Sequence, residues 1–147
     1  MPSAPRSVRA ATPRLQRRGR RSASRTIAGV RELGRGTKVF DHAPVGGAWR
    51  VLEGPEDVLG LMDAGGGTGV VAVVRDAGAT FLAPLYHELT AVVCTSGTPR
   101  SHIGIVSREF QLPCVVAAVF PGGEPGPGTE VEVDCSGPDG VIRAPAG

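Results

Sequence analysis

From Thr26 onward the chain alternates short apolar clusters with glycine and proline, the texture of strands bounded by turns. Val39-Phe40, Trp49-Arg50-Val51-Leu52 and Val70-Val71-Ala72-Val73-Val74 are such clusters, punctuated by Gly34, Gly36, Gly46 and Gly47. Pro55 and the acids Glu56 and Asp57 precede Val58, Leu59 and Met62, which predicts a short helix over 55–62 with its acids near the positive end. Phe81 to Leu89 predicts a second helix with Pro84 in its first turn, and Ala91 to Cys94 a buried strand. Ile103, Ile105, Val106 and Phe110 recur at near-helical spacing, predicting a helix over 101–110 that stops before Pro113. A buried run follows over 114–119, then a Gly/Pro connection over 121–128. The alternation of 129–134 marks a strand with one wet face, and Val141-Ile142-Arg143 follows a Gly137-Pro138-Asp139-Gly140 turn. Together these elements predict an α/β domain with a β-rich frame and helices packed on it.

Composition divides the chain. Residues 1–25 hold almost no large apolar side chain and read as a disordered basic tail, so the folded domain is expected over 26–147. The tail is also rich enough in arginine to suit a nucleic-acid or acidic-partner arm or an organelle transit signal, although a plain solvated extension or a misplaced start is the simpler reading. Nine arginines and no acid lie in the first 31 residues, so the formal net charge of +2 conceals an acidic remainder. Nucleic acid is therefore not an expected partner of the folded part. With 4% aromatic residues, recognition by stacking is not expected either. Cys94, Cys114 and Cys135 form no Cys-x-x-Cys pair and have no nearby histidine at ligand spacing, which reads as free thiols rather than a metal site. No apolar run has the length of a membrane span, so a soluble, cytoplasmic protein is expected. The run Gly65-Gly66-Gly67-Thr68-Gly69 lies between a helix and a strand, the reverse of a phosphate loop, and reads as a connecting turn.

One segment carries candidate chemistry. Val93 to His102 reads as a strand, a glycine turn and a histidine in the first turn of a helix. Helix N-termini present unpaired N–H groups and partial positive charge, so a phosphoryl group at His102 is favoured there. Neutral imidazole is itself a competent nucleophile near pH 7, whereas serine and threonine need a separate base. Glu109 falls about two turns along the same helical face and Arg108 projects elsewhere. On pattern alone, a histidine that merely sits at a helix end remains an open alternative. His42, before Ala43-Pro44, and His87, beside Glu88, read as structural or solvent-facing.

The run Cys94-Thr95-Ser96-Gly97-Thr98-Pro99-Arg100-Ser101-His102-Ile103-Gly104-Ile105-Val106-Ser107-Arg108-Glu109-Phe110-Gln111-Leu112-Pro113-Cys114-Val115-Val116 resembles the mobile domain of phosphoenolpyruvate-utilising enzymes. That family's pattern is T-x-x-G-G-x-x-S-H-x-A-I-V-A-R-E-x-x-x-P-A-V-V, shared by pyruvate phosphate dikinase, phosphoenolpyruvate synthase, the first enzyme of the sugar phosphotransferase system and rifampicin phosphotransferase. Gly128 to Asp134 resembles the strand that ends the domain, and Ala48 to Asp57 its opening strand and acidic helix, so the likeness extends over about residues 30–143. The chain departs from the pattern at Cys94 for Thr, Thr98 for the second Gly, Gly104 for Ala, and Ala117 for the Gly after the closing valines.

The resemblance implies a swivelling β/β/α fold in which His102 accepts a phosphoryl group at one partner site and surrenders it at another. It implies that Gly97 and Thr98 shape the turn exposing the ring, that Ser101 caps the helix or bonds the phosphate, and that Arg108 and Glu109 act as supports. A chain of 147 residues leaves no room for a nucleotide-binding domain or a phosphoenolpyruvate-binding barrel. A stand-alone phosphohistidine carrier is therefore expected, a phosphotransferase component of dikinase-like or antibiotic-phosphotransferase-like type. ATP or phosphoenolpyruvate and Mg²⁺ would be held by an ATP-grasp or phosphoenolpyruvate-binding partner, because no carboxylate cluster here suits a metal. The alternatives are a docking or regulatory module that has lost phosphate transfer, and the small swivelling subunit of an aconitase-type dehydratase.

Overall fold

A computed structural model describes residues 29–145. The expected basic tail over 1–25 lies outside the described residues. Contacts gather Glu32–Ala144 into one compact unit. Of the residues outside it, Gly29, Val30, Arg31 and Pro145 are described.

Seven strands lie among the described residues: β1 (Val30–Lys38), β2 (His42–Val51), β3 (Val70–Val74), β4 (Ala91–Cys94), β5 (Cys114–Val119), β6 (Glu130–Cys135) and β7 (Gly140–Pro145). They close into a barrel in the order β1-β5-β4-β3-β2-β6-β7. Strands β2 to β5 run parallel, while β1 on β5, β6 on β2 and β7 on β6 are antiparallel. Helix α1 (Pro55–Asp63) joins β2 to β3, and helix α2 (His102–Glu109) joins β4 to β5. This is the right-sized device for a parallel crossover, which a hairpin turn cannot make.

The strands at the centre are buried on both faces, and their side chains alternate between two cores. Val71, Val73, Ala91, Val93 and Val115 point into the barrel with Trp49, Val131, Val133 and Ile142. Val70, Ala72, Val74, Val92, Cys94, Cys114 and Val116 point outward against Val58, Leu61, Leu82, Leu85, Leu89 and Ile103. Period-two alternation with both faces covered reads in sequence as a continuous apolar run, which is what 70–74, 91–94 and 114–116 show.

The expected swivelling β/β/α architecture with packed helices is corrected by this topology: the described strands form a closed barrel, with α1 and α2 in its crossovers. Glycines explain the closure. A methyl at Gly36 would overlap the Val116 carbonyl, and one at Gly47 would stand 2.8 Å from the Gly69 carbonyl oxygen. Gly34, Gly36, Gly46 and Gly47 lie inside β1 and β2 rather than in turns between short strands, and at Gly34, Gly36 and Gly47 a neighbouring backbone crowds the position. Val39-Phe40 is the bend joining those two strands rather than a strand. The helix expected over 81–89 is a single 3₁₀ turn, Ala83–Leu85, followed by further turns. Leu82, Leu85, Tyr86 and Leu89 keep helical spacing and are all buried, so packing is satisfied by successive turns without a regular helix.

Candidate functional site

The parallel strands β3 and β4 end side by side, and the loops leaving them interlock. Thr95 donates its N–H to the Val74 carbonyl at 3.1 Å, and the Ser96 hydroxyl donates to the Arg75 carbonyl at 2.7 Å. The Ser96 carbonyl in turn accepts the Ala117 N–H at 3.0 Å, so the loop after β4 is fastened to β5 as well. Loops at the carboxyl ends of parallel strands are the usual location of sites in α/β sheets.

Gly97 turns the chain at φ +88°. A side chain there would overlap Ala77 Cβ and crowd Ser101 Oγ, so both backbone angle and space demand glycine. Thr98 does not need positive φ, which removes the steric objection to a β-branched residue in place of the family's second glycine. Its hydroxyl accepts the Arg100 N–H at 3.1 Å and stiffens the turn.

Ser101 holds the N-cap position with extended backbone at φ −67° and ψ 162°, yet its hydroxyl caps no helix amide. Ser101 Oγ instead accepts the Thr98 N–H at 2.9 Å. The Ile103 N–H, one of the free amides of the first turn, goes to the Ala77 carbonyl at 3.0 Å. His102 is the first residue of α2 and is exposed. Ile103, Gly104 and Ser107 form the buried face of this helix, so the ring of His102 is carried on the side facing solvent. Gly104 is explained by the same packing: a methyl there would overlap the Pro99 carbonyl oxygen, so the family's alanine does not fit beneath this turn.

Arg108 lies at the other end of α2. Its guanidinium donates to the Val39 carbonyl at 2.6 Å and stands 6.0 Å from the centre of the Phe40 ring, tying the helix to the bend between β1 and β2. Glu109 is exposed and makes no ion pair among the described residues. Gly97, Thr98, Ser101 and His102 are therefore brought together, while Arg108 and Glu109 sit about two helical turns away.

Residues not singled out from sequence complete the arrangement. Ala77 supports both Gly97 and Ile103, and the Asp76 carboxylate shapes its turn by accepting the Gly78 N–H at 2.8 Å. An Asp-x-Gly triplet just after a buried strand is a readable turn signal. Arg75 pairs with Glu124 at 2.5 Å, joining the loop after β3 to the Gly/Pro connection before β6, and the carboxylate raises the guanidinium pKa further. Nothing local in the sequence pairs positions 49 residues apart.

Cys94 closes β4, fully buried, with its sulfur 3.8 Å from Ser96 Oγ. Cys114 and Cys135 are also buried and free. Burial pushes their thiols up to about 12 and about 11. Among the described residues no three His, Cys, Asp or Glu side chains converge as a metal site requires, and no helix is long and apolar enough to cross a membrane.

Comparison with known proteins gives three results. No curated protein matches the chain. The solved structure of Streptomyces coelicolor RraAS2, described as an unusual member of the RNase ES inhibitor RraA protein family, is similar over 77% of this chain and 72% of that one, at 17% identity and a TM-score of 0.49. The family model for the PEP-utilising enzyme mobile domain matches residues 66–137, which include both interlocked loops, His102 and all of α2. The stretch 66–137 is thus similar in sequence to the PEP-utilising enzyme mobile domain.

Proposed function

We propose that this protein is a phosphohistidine carrier that accepts a phosphoryl group on His102 at one partner site and delivers it at another. The observation that carries the reading is the presentation of His102: an exposed imidazole at the first position of α2, on a turn that Gly97 and the Ala77 contacts fix in place. A nucleophile on a rigid element needs no movement of its own to meet a donor.

In the first half-reaction the unprotonated nitrogen of neutral His102 attacks the donor phosphorus. The P–N bond forms as the P–O bond to the leaving group breaks, and that bond's electron pair departs on the donor oxygen. In the second half an acceptor oxygen forms the new P–O bond and the P–N pair returns to the ring. The Ser101 hydroxyl has accepted a backbone bond through oxygen, so its hydrogen is available to a phosphoryl oxygen. ATP or phosphoenolpyruvate is the donor in this scheme, bound with Mg²⁺ by an ATP-grasp or phosphoenolpyruvate-binding partner.

A second reading, a docking module without phosphate transfer, is favoured by Cys94, which puts a buried thiol where the family has threonine. Mass spectrometry at neutral pH separates the two. After incubation with native-host extract and ATP or phosphoenolpyruvate, the carrier gains one acid-labile phosphate that His102→Ala lacks. Absence of any increment with both donors overturns the carrier reading in favour of the docking module.

A further inference from the structure

Among the described residues, five large apolar side chains are exposed: Leu59, Met62, Ile105, Phe110 and Val119. Two of them, Ile105 and Phe110, belong to the segment that carries His102. On a helix of 3.6 residues per turn, Ile105 lies one turn from His102 and Glu109 two turns, so the three line one exposed stripe. Ile105 is 49% exposed although its neighbours Ile103 and Gly104 are fully packed. Phe110 flanks the stripe, half exposed, with its ring stacked on buried Tyr86 at 5.4 Å and 15°. About half of the Ile105 side chain is thus presented to solvent, more than packing within its own domain uses.

Resting on the carrier reading, we propose that Ile105, with Phe110 at its flank, is the anchor by which the phosphoryl-donor protein docks over His102. Transfer requires the donor's phosphorus to reach bonding distance of the imidazole. A protein active site that close necessarily covers side chains about 5–6 Å away along the helix, the spacing of residues one turn apart. The stripe's charge specifies the partner's chemistry. Glu109 has no counter-ion among the described residues, so the complementary surface is an apolar recess bordered by lysine or arginine. Leu59 and Met62 on α1 are comparably exposed but have no continuity with a reacting group, and so serve as the reference surface.

The test compares two donors. Phosphoramidate, a small molecule, phosphorylates an accessible histidine without docking. Native-host extract with ATP or phosphoenolpyruvate does so only through the donor protein. Ile105→Ser and the control Leu59→Ser have similar helix propensity, and circular dichroism checks that both fold. With extract at limiting carrier concentration, Ile105→Ser is expected to be labelled at His102 about tenfold more slowly than wild type, Leu59→Ser at the wild-type rate, and Ile105→Leu close to it. With phosphoramidate all four proteins are labelled alike. Equal labelling of Ile105→Ser and wild type by extract overturns the docking anchor and leaves the carrier reading intact. A comparable loss in Leu59→Ser also overturns it, because the effect would then not be local. Failure of wild type to be labelled by extract overturns both readings.

Discussion

Replacing Ala117 with glycine is expected to stabilise the protein, although it removes a side chain. Ala117 sits in β5 at φ +52°. Thr37 pairs with Val116 and Arg35 with Val119, so two residues of β5, Ala117 and Ala118, oppose the single Gly36 of β1. This is a β-bulge whose extra residue takes the left-handed conformation. That conformation costs a residue with a Cβ roughly 1–2 kcal/mol. Glycine removes the cost but loses about 0.4–1 kcal/mol through its freer unfolded chain, leaving a net gain of about 0.5–1 kcal/mol. For a domain near this size the melting midpoint should rise by roughly 2–4 °C. The Ala117 methyl is exposed and its N–H bond to Ser96 survives the change, so no packing loss offsets the gain. Ala118→Gly is the internal control: that methyl is buried in the barrel at ordinary φ, and its loss should destabilise by about 1–2 kcal/mol. Urea titrations of both variants check the sign. If Ala117→Gly lowers the midpoint as Ala118→Gly does, the strain assigned to φ is refuted.

Gly97→Ala should destabilise by about 3 kcal/mol or more, because it combines left-handed backbone with overlap on Ala77. Adding Ala77→Gly should recover the overlap but not the backbone cost, and a denaturation cycle over the two sites reads that partial rescue. Asp134 titrates below its ordinary 3.8 despite the opposing effect of burial, because Ser136 donates to it from both hydroxyl and backbone and Arg143 pairs with it at 2.9 Å. A depressed carboxylate contributes stability above its unfolded pKa and loses it as pH falls through the folded value. Asp134→Asn should therefore be less stable than wild type at pH 7, with the gap closing below about pH 3.8 in chemical denaturation run across acid pH.

How much could be seen in the sequence depended on whether the signal was local. Strands β3 and β4, and β5 over its first three residues, were legible because both their faces are covered, which leaves uninterrupted apolar runs. Both α-helices were legible because Pro55 opens one and Pro113 follows the other. The glycines of β1 and β2 misled for a physical reason: a glycine required by a crowding neighbour strand is spelled the same way as a glycine required by a turn. Closure into a barrel was hidden for a related reason, since it rests on β1 meeting β5 and on β2 meeting β6, pairings between remote positions. At the candidate site, the turn through Gly97 and the helix start at His102 were readable. The part played by Ala77 and the Arg75–Glu124 link was not, because both come from loops brought alongside only by strand order. Thr98 is instructive in the other direction. It departs from the family's second glycine, yet the backbone there never enters the glycine region.

The strand order also governs how this chain can be made. Synthesis delivers β2, β3, β4 and β5 as a growing parallel ladder, but β6, which covers the other side of β2, and β7, which completes the ring, emerge last. At roughly 5–20 residues per second, about ten seconds separate the appearance of β1 from that of β7. Throughout that interval the inward face bearing Trp49, Val71, Val73 and Val93 has no lid. A nascent chain in this state is a half-pipe with a wet apolar lining, open to any other strand that passes. Truncation before Glu130 removes β6 and β7 together and leaves the edge of β2 unpaired, the kind of exposed edge that recruits other chains.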